Sequence, residues 1–413
     1  MKGRLLAVAA LAALLAAALA HAAMPGDFDR SFAGDGKARL SFCYHGAHFA
    51  SVAIDSHNRI VTAGSGCLTR TLPSGRPDHR FNTAAKSRRA LRSAPFPRGA
   101  DAVTFDRGRI VVAGYYGSHE GFAVRRYKAN GHADHSFGTG SIVGARAVGG
   151  PGAQRHKSTF TNFGDPEASA LAVAIDSNRR PVVAGYTQGG GDADFALARL
   201  KWDGDLDPDF GSGGKVRTDF GTHRDYGAAV AIDSGGRIVV GGGGDRFELA
   251  RYLPDGALDP SFGSGGKVVT GFGDRGRLNS IAIDSHNRIV AAGAAANGVF
   301  ALARYKPNGR LDRSFSTNGK LLGPVRDESG VGSVGIDSRR RIVAVGRGRG
   351  SFKLARYKPS GRLDRSFGKD GKVIAAMGRP SVWSATIDSR DRIVVAASNS
   401  TLQLARFVGY GRH

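Results

Sequence analysis

The stretch IAIDSHNRIVAAG, residues 281–293, has the pattern of two short strands joined by a tight turn. Val, Ile and Ala fill both flanks, while Asp, Ser, His and Asn between them favour a turn. Related stretches recur along the 413-residue chain and align on the Asp of the IDS motif. These anchors are Asp55, Asp106, Asp176, Asp233, Asp284, Asp337 and Asp388. Seven copies, 51 to 70 residues apart, predict an array of one supersecondary unit.

Each repeat contains two further motifs in a fixed order. A segment like FALARY (300–305) follows the hairpin, and a segment like LDPSFGSGGKVV (258–269) comes after that. We therefore predict four strands per repeat: one on each side of the IDS turn, one at FALARY and one at GKVV. The second strand is apolar on both faces, so it must be covered on both sides, as the stacked blades of a propeller would cover it.

The motifs at the two ends of the chain predict a closed ring. The segment FDRSFAGDGKARLSF (28–42) is a fourth strand without its first three, and LQLARF (402–407) is a third strand without its fourth. Pairing these two segments would complete the last blade and leave no open sheet edge. The predicted fold is therefore an all-β, seven-bladed β-propeller of four-stranded blades, with the N-terminal strand closing the last blade.

The ordered motifs IDSxxRIVVAG, FALARYxPxG and LDxSFGxxGKV resemble the bacterial delta-60 repeat and, more distantly, the NHL-type propeller blade. The similarity extends over nearly the whole chain beyond residue 23. It implies an exported β-propeller-like repeat protein. It implies no particular reaction and no catalytic residues.

The first 23 residues have the features of a secretory signal peptide. Lys2 and Arg4 precede a run of Ala and Leu, and AHAAMP (20–25) supplies small residues for cleavage. We predict an exported protein, periplasmic or extracellular, with no transmembrane segment. Residues 24–413 are expected to form one propeller domain.

The charge of the chain suggests an anionic partner. The formal net charge is +24 at pH 7, and a strongly basic balance attracts nucleic acids, anionic membranes and acidic polysaccharides. A genome-wide bias toward Arg codons accounts for the same excess. The sequence leaves both explanations open.

Function is expected on the loops that differ between repeats. In antiparallel blades, the connections between strands 2 and 3 and those between blades lie on one face, which we call the variable-loop face; the connections on the opposite face are stereotyped. Inserted loops of a repeat fold often form its binding face, and Arg beside aromatic rings binds phosphate or carboxylate groups. The predicted ligand-binding residues on the variable-loop face are Arg88, Arg89, Arg92, Arg98, Tyr115, Tyr116, Arg155, His156, Lys157, Tyr186, Arg224, Arg275, Arg277, Arg347 and Arg349.

These residues predict a monomeric scaffold that binds an anionic envelope or extracellular polymer, or another exported protein. The alternative is a propeller enzyme, similar to a lactonase or a lyase, with a single metal-dependent site on the same face. Asp225, Asp274 and Asp327 lie there, but no clear ligand set emerges from them. We therefore assign no catalytic residue, no metal ligand and no cofactor.

Two further expectations concern structural residues. Cys43 and Cys67 are predicted to lie on adjoining blades, where a disulfide would close a loop of about 24 residues; two buried thiols are the alternative. Residues present in every blade are expected to serve the fold. The Asp of IDS should accept backbone N–H groups in its turn, and the Arg of the LARY motif is expected to pair with such an Asp.

Overall fold

The computed structural model describes residues 23–40, 49–64, 67–81, 99–115, 117, 119–138, 158–273, 275–326, 330–348, 351–376, 381–398 and 401–410. Within these ranges the chain forms strands joined by turns, with one 3-10 turn at Ala296–Gly298. The described residues include no helix with the length and apolar character of a membrane span. The predicted signal peptide lies outside the described residues, apart from its last residue.

The first three blades contain strands β2 to β12. Blade 1 has β2 (Phe49–Ile54), β3 (Ile60–Gly64) and β4 (Cys67–Thr71) within the described residues. Blade 2 has β5 (Gly99–Asp106), β6 (Arg109–Tyr115), β7 (Phe122–Tyr127) and β8 (Thr159–Thr161). Blade 3 has β9 (Glu167–Ile175), β10 (Pro181–Gly189), β11 (Asp192–Arg199) and β12 (Lys215–Thr218).

The remaining four blades repeat this antiparallel order. Blade 4 has β13 (Ala229–Ile232), β14 (Ile238–Gly242), β15 (Phe247–Tyr252) and β16 (Lys267–Thr270). Blade 5 has β17 (Gly276–Ile283), β18 (Ile289–Ala295), β19 (Val299–Tyr305) and β20 (Lys320–Arg326). Blade 6 has β21 (Val331–Ile336), β22 (Ile342–Gly348), β23 (Ser351–Tyr357) and β24 (Lys372–Ala376). Blade 7 has β25 (Ser381–Ile387), β26 (Ile393–Ser398), β27 (Leu402–Phe407) and, at its outer edge, β1 (Lys37–Leu40).

The blades stand in a closed ring. The first strand of each blade contacts the first strand of the next, from β2 through β5, β9, β13, β17 and β21 to β25, and β25 returns to β2. The apolar cores lie between neighbouring blades: one of them joins Val290 and Phe300 of blade 5 to Ile342 and Ala344 of blade 6. The second strands are mostly buried, and β3 and β14 are buried along their whole length. The predicted seven-bladed propeller is confirmed.

The two ends of the chain close the ring as predicted. Strand β1 pairs antiparallel with β27, from Lys37 opposite Ala405 to Leu40 opposite Leu402. The Nε atom of Arg406 donates to Asp29 at 2.8 Å, across 377 residues of sequence. Blade 7 is therefore built from both ends of the chain.

The Arg of LARY holds neighbouring blades together, but its expected partner was wrong. Arg304 pairs with Asp312 of the LDxSF motif at 2.8 Å, and not with the Asp of IDS. Its guanidinium lies 4.8 Å from the ring centre of Phe315 and donates to the backbone carbonyl of Pro359 in blade 6. The equivalent pairs are Arg70–Asp78, Arg126–Asp134, Arg199–Asp207, Arg251–Asp259, Arg356–Asp364 and Arg406–Asp29. We call each unit an arginine clamp.

The Asp of IDS organises its own turn. In blade 5, Oδ1 of Asp284 accepts the backbone N–H groups of His286 and Arg288 at 2.9 and 3.0 Å, which confirms the predicted turn bonds. Its Oδ2 accepts Nε of Arg288 at 2.7 Å. Two Asp–Arg units thus recur in the propeller, one within the hairpin and one between blades.

Candidate functional site

Tyr115 and Tyr186, two residues of the predicted ligand-binding set, lie in a group of tyrosines and carboxylates on the variable-loop face. The rings of Tyr186, on β10, and Tyr226, just before β13, meet edge to face with centres 4.9 Å apart. Burial raises the pKa of Tyr186, and the nearby charges of Glu167 and Asp101 add to this shift. Tyr115, on β6, also raises the pKa of Tyr186, so Tyr115 belongs to the same group. We call Asp101, Tyr115, Glu167, Tyr186 and Tyr226 the tyrosine–carboxylate cluster.

A β-bulge places Asp101 in this cluster. The pairing of β5 with β6 skips one residue between Ala100 and Ala102, which leaves Asp101 as the extra residue. The same bulge occurs in the first strands of blades 1, 3, 5, 6 and 7, so it belongs to the blade, and in blade 2 it re-aims an acidic side chain. Burial raises the pKa of Asp101 to about 6, although the nearby His119 works in the opposite direction. A carboxyl with this pKa is half-protonated near pH 6 and can donate or accept a proton there.

The position of Tyr115 depends on a glycine. Gly99 lies opposite Tyr115 in the β5–β6 pair, and a Cβ atom at Gly99 would approach Cε1 of the Tyr115 ring to 2.0 Å. The absence of a side chain therefore allows the ring to lie across the start of the innermost strand. The Tyr115 ring also stacks on the ring of His119, with the two ring centres 3.9 Å apart.

A second group of carboxylates lies where blade 3 joins blade 4. Asp194, Asp219 and Asp225 each offer one oxygen atom within 4.8 Å of the others. Glu248, on β15, is 1% exposed, and burial together with the charge of Asp225 raises its pKa to about 8. Burial also raises the pKa of Asp225, in spite of bonds from Thr222 and the backbone of Phe220. We call these four residues the acidic cluster.

The structure brings together only part of the predicted ligand-binding set. Tyr115 and Tyr186 share the tyrosine–carboxylate cluster. Arg224 and Arg275, on the connections to blades 4 and 5, and Arg277, on β17, are exposed. For Arg347, only the backbone, on β22, is described. The predicted residues that lie outside the described residues are Arg88, Arg89, Arg92, Arg98, Tyr116, Arg155, His156, Lys157 and Arg349.

The predicted disulfide has one end in the described residues. Cys67 begins β4 and is not a free thiol. Cys43 lies outside the described residues, so the Cys43–Cys67 bond stays a prediction. Of the three acids considered for the enzyme alternative, Asp225 belongs to the acidic cluster, and Asp274 and Asp327 also lie outside the described residues.

Several residues of both clusters escaped sequence reasoning. Asp101, Glu167 and Tyr226 were not among the candidates, nor were Asp194 and Glu248. The available signal was departure from the repeat: Glu248 stands in FELARY where Ala196 and Ala301 stand in FALARY. A residue type that occurs at this position in one blade only is not required for a blade to fold, so it is a candidate for a site.

The comparisons with known proteins agree with this architecture. Four segments match the family described as "Domain of unknown function (DUF5122) beta-propeller": residues 108–137, 180–210, 235–262 and 287–315. Each segment runs from the second strand of a blade, or the turn before it, to the Phe of its LDxSF-like motif. The chain is a β-propeller repeat protein. The finer resemblance of this propeller to the delta-60 repeat stays a prediction.

Solved structures show the same fold in proteins with different roles. The propeller is similar to selenomethionine-substituted virginiamycin B lyase from Staphylococcus aureus, with a TM-score of 0.56, 8% identity, and coverage of 89% of this chain and 98% of the lyase. It is also similar to the WD40 beta propeller domain of Doa1, with a TM-score of 0.53, 11% identity, and coverage of 89% and 96%. At these identities the likeness extends to the fold and not to an activity. No curated protein shows significant sequence similarity to the propeller.

Proposed function

We propose that this propeller is an exported scaffold that binds an acidic polysaccharide through its variable-loop face. The observation that supports the proposal most directly is the tyrosine–carboxylate cluster, with the exposed Arg224 on the same connection as Tyr226. A sugar ring offers an apolar face and hydroxyl donors, and an acidic sugar adds carboxylate groups. Aromatic rings, carboxylates and guanidinium groups match these three features in turn.

Partial burial suits the cluster to binding. Tyr115, Tyr186 and Tyr226 are neither fully buried nor fully exposed, so part of each ring is held by the propeller and part faces outward. Tyrosines in this state supply contact area with little loss of side-chain entropy. The net charge of +24 would add long-range attraction to an anionic chain.

Binding of uronic-acid oligosaccharides, with neutral oligosaccharides as the comparison, tests the proposal. We expect Tyr186→Ala to weaken binding at least about tenfold, since a lost aromatic stack costs roughly 1–3 kcal/mol. Arg224→Gln should reduce the salt dependence of the affinity. Tyr410, which lies beside Asp391 away from this cluster, provides the matched control Tyr410→Ala.

Two outcomes would contradict the proposal. One is affinity for acidic sugars that disappears entirely between about 0.05 and 0.2 M salt, because charge attraction alone would then account for it. The other is equal binding by the Tyr186→Ala and native chains. Export is tested separately by N-terminal sequencing of protein recovered outside the cytoplasm, which should begin near residue 23 or 24, and the monomeric state by sedimentation.

The enzyme alternative is favoured by one observation. Asp101, with a pKa of about 6, lies near Tyr186 and His119 in a partly buried group, which is a suitable environment for a general acid or base. If the propeller is a lyase or lactonase with Asp101 as its general base, turnover of a supplied polymer or lactone should rise through pH 6 and disappear in Asp101→Asn. Binding without turnover would favour the scaffold.

A further inference from the structure

The acidic cluster has the geometry of a cation site. Asp194 lies at the start of β11, Asp219 directly follows β12, and Asp225 lies in the connection to β13. Their oxygen atoms are mutually within 4.8 Å. Asp194 and Asp225 are buried and Asp219 is exposed, so one side of the group is open to ions from solvent.

A buried carboxyl group from blade 4 lies against Asp225. Glu248 comes from blade 4, is 1% exposed, and its carboxyl faces that of Asp225. Its Oε2 atom has no hydrogen-bond partner among the described residues. A buried oxygen left without a donor costs free energy, and an ion is one of the ways in which proteins satisfy it.

The cationic side chains around the acidic cluster are fewer than its carboxyl groups and their acidic neighbours. Arg217 donates to Asp194 at 2.5 Å, but the same guanidinium also binds Asp165 at 3.0 Å and its side chain is 48% exposed. Asp225 accepts from neutral donors, the Phe220 N–H at 2.7 Å and the Thr222 hydroxyl. The other described cations near the cluster are Arg246, whose charge acts on Glu248, and Lys267, which donates to the Asp219 backbone carbonyl. Three cations therefore stand against four carboxyl groups of the cluster and Asp165.

The other blades provide an internal comparison. Asp194 directly precedes FALARL, and the equivalent residues in blades 4 and 5 are Arg246 and Val299. Asp219 follows the Thr that ends the fourth strand, and its equivalent in blade 4 is Gly271. A blade therefore does not need these acids in order to fold, although at this one junction they come together.

We propose that the acidic cluster binds one Ca²⁺ ion, which links the loops of blade 3 to blade 4. Hard oxygen ligands favour Ca²⁺ or Mg²⁺ over zinc and copper, which prefer nitrogen and sulfur. Ca²⁺ accepts several carboxylates from irregular loops at once, whereas Mg²⁺ retains more of its water and demands a regular octahedron. Asp194, Asp219 and Asp225 are the ligands, and Glu248 lies against Asp225 from the neighbouring blade.

Calcium titration of the full chain tests this site, with CaCl₂ added at pH 8 after treatment with EDTA. We expect calorimetry to show one ion per chain and the thermal unfolding midpoint to rise by about several degrees at 100-fold excess over Kd. Equal concentrations of Mg²⁺ should raise the midpoint less. Asp219→Asn, at an exposed position, and Glu248→Gln should each weaken Ca²⁺ affinity at least tenfold.

Asp255→Asn is the matched control, because Asp255 is an exposed acid on the stereotyped face of blade 4 and should leave the affinity unchanged. Circular dichroism in EDTA shows that each variant is folded. The proposal is overturned if the native chain gives no saturable heat and no shift of its midpoint, since Glu248 and Asp225 would then share a proton instead of an ion. It is also overturned if Asp219→Asn binds Ca²⁺ as tightly as the native chain does. Sugar binding plays no part in these measurements, so this proposal and the proposed function can fail independently.

Discussion

Replacing Arg304 by Met tests whether the arginine clamps stabilise the ring. Arg304 is 3% exposed, and the substitution removes its 2.8 Å pair with Asp312, its bond to Ser314 at 3.1 Å and its bond to the Pro359 carbonyl of the next blade. Met keeps much of the packing against Phe315, so the main effect is a buried carboxylate that loses its closer cation and keeps only Arg288 at 3.8 Å. Breaking one side of a buried ion pair costs about 3–5 kcal/mol.

Urea unfolding, followed by far-UV circular dichroism and tryptophan fluorescence, measures this cost. With an m-value of about 3–4 kcal/mol/M for a chain of this size, we expect the midpoint to fall by about 1 M. Arg313→Met is the control, because Arg313 is exposed on the same connection and should shift the midpoint by less than about 0.2 M. Adding Asp312→Asn to Arg304→Met should recover part of the loss, since the orphaned charge is removed. Equal midpoints for Arg304→Met and Arg313→Met would refute the role of the clamp.

Three further predictions concern buried polar groups. Tyr305→Phe should cost about 1 kcal/mol of unfolding free energy, because the Tyr305 hydroxyl donates to a Thr of the preceding blade. Tyr357→Phe should cost nothing, because the buried Tyr357 hydroxyl has no hydrogen-bond partner among the described residues. Equal losses of the two variants in urea unfolding would contradict this. In metal-free buffer, the free energy of unfolding should decline from about pH 5 to 8. The reason is that folding raises the pKa of Glu248, so the folded state keeps this proton to a higher pH than the unfolded state does. Glu248→Gln should flatten this part of the curve of thermal midpoint against pH. Asp29→Ala should destabilise the ring by about 3–5 kcal/mol by leaving Arg406 buried without its carboxylate, and a loss below 1 kcal/mol would argue against closure by this pair.

The fold was predictable because seven copies report the same pattern. Strand positions, the turn at Asp284 and the pairing of residues 37–40 with 402–405 all follow from motifs whose order is constant. The partner of Arg304 was not predictable, because two Asp residues recur in every blade and sequence spacing does not say which of them the guanidinium reaches. The structure shows that the Asp eight residues later lies beside it.

The candidate sites were harder to predict than the fold for a physical reason. A site on a repeat protein is made where the blades differ, and it joins residues from loops whose proximity only the closed ring creates. Asp225, on the connection to blade 4, and Glu248, on β15, illustrate this. Each is a minor variation within its own repeat, and the two form a candidate site only because their side chains meet where the blades join.

The pairing of β1 with β27 has a consequence for how the molecule is assembled. The strand made first must wait, without its partner, until almost all of the chain has been synthesised, because the last contact spans 377 residues. Contacts so distant in sequence form slowly. During that delay an unfinished molecule presents a vacant sheet edge and a loose strand that fit each other, so two unfinished molecules in a crowded compartment could exchange these parts and become interlocked. Dilution during refolding should therefore favour single rings over linked pairs.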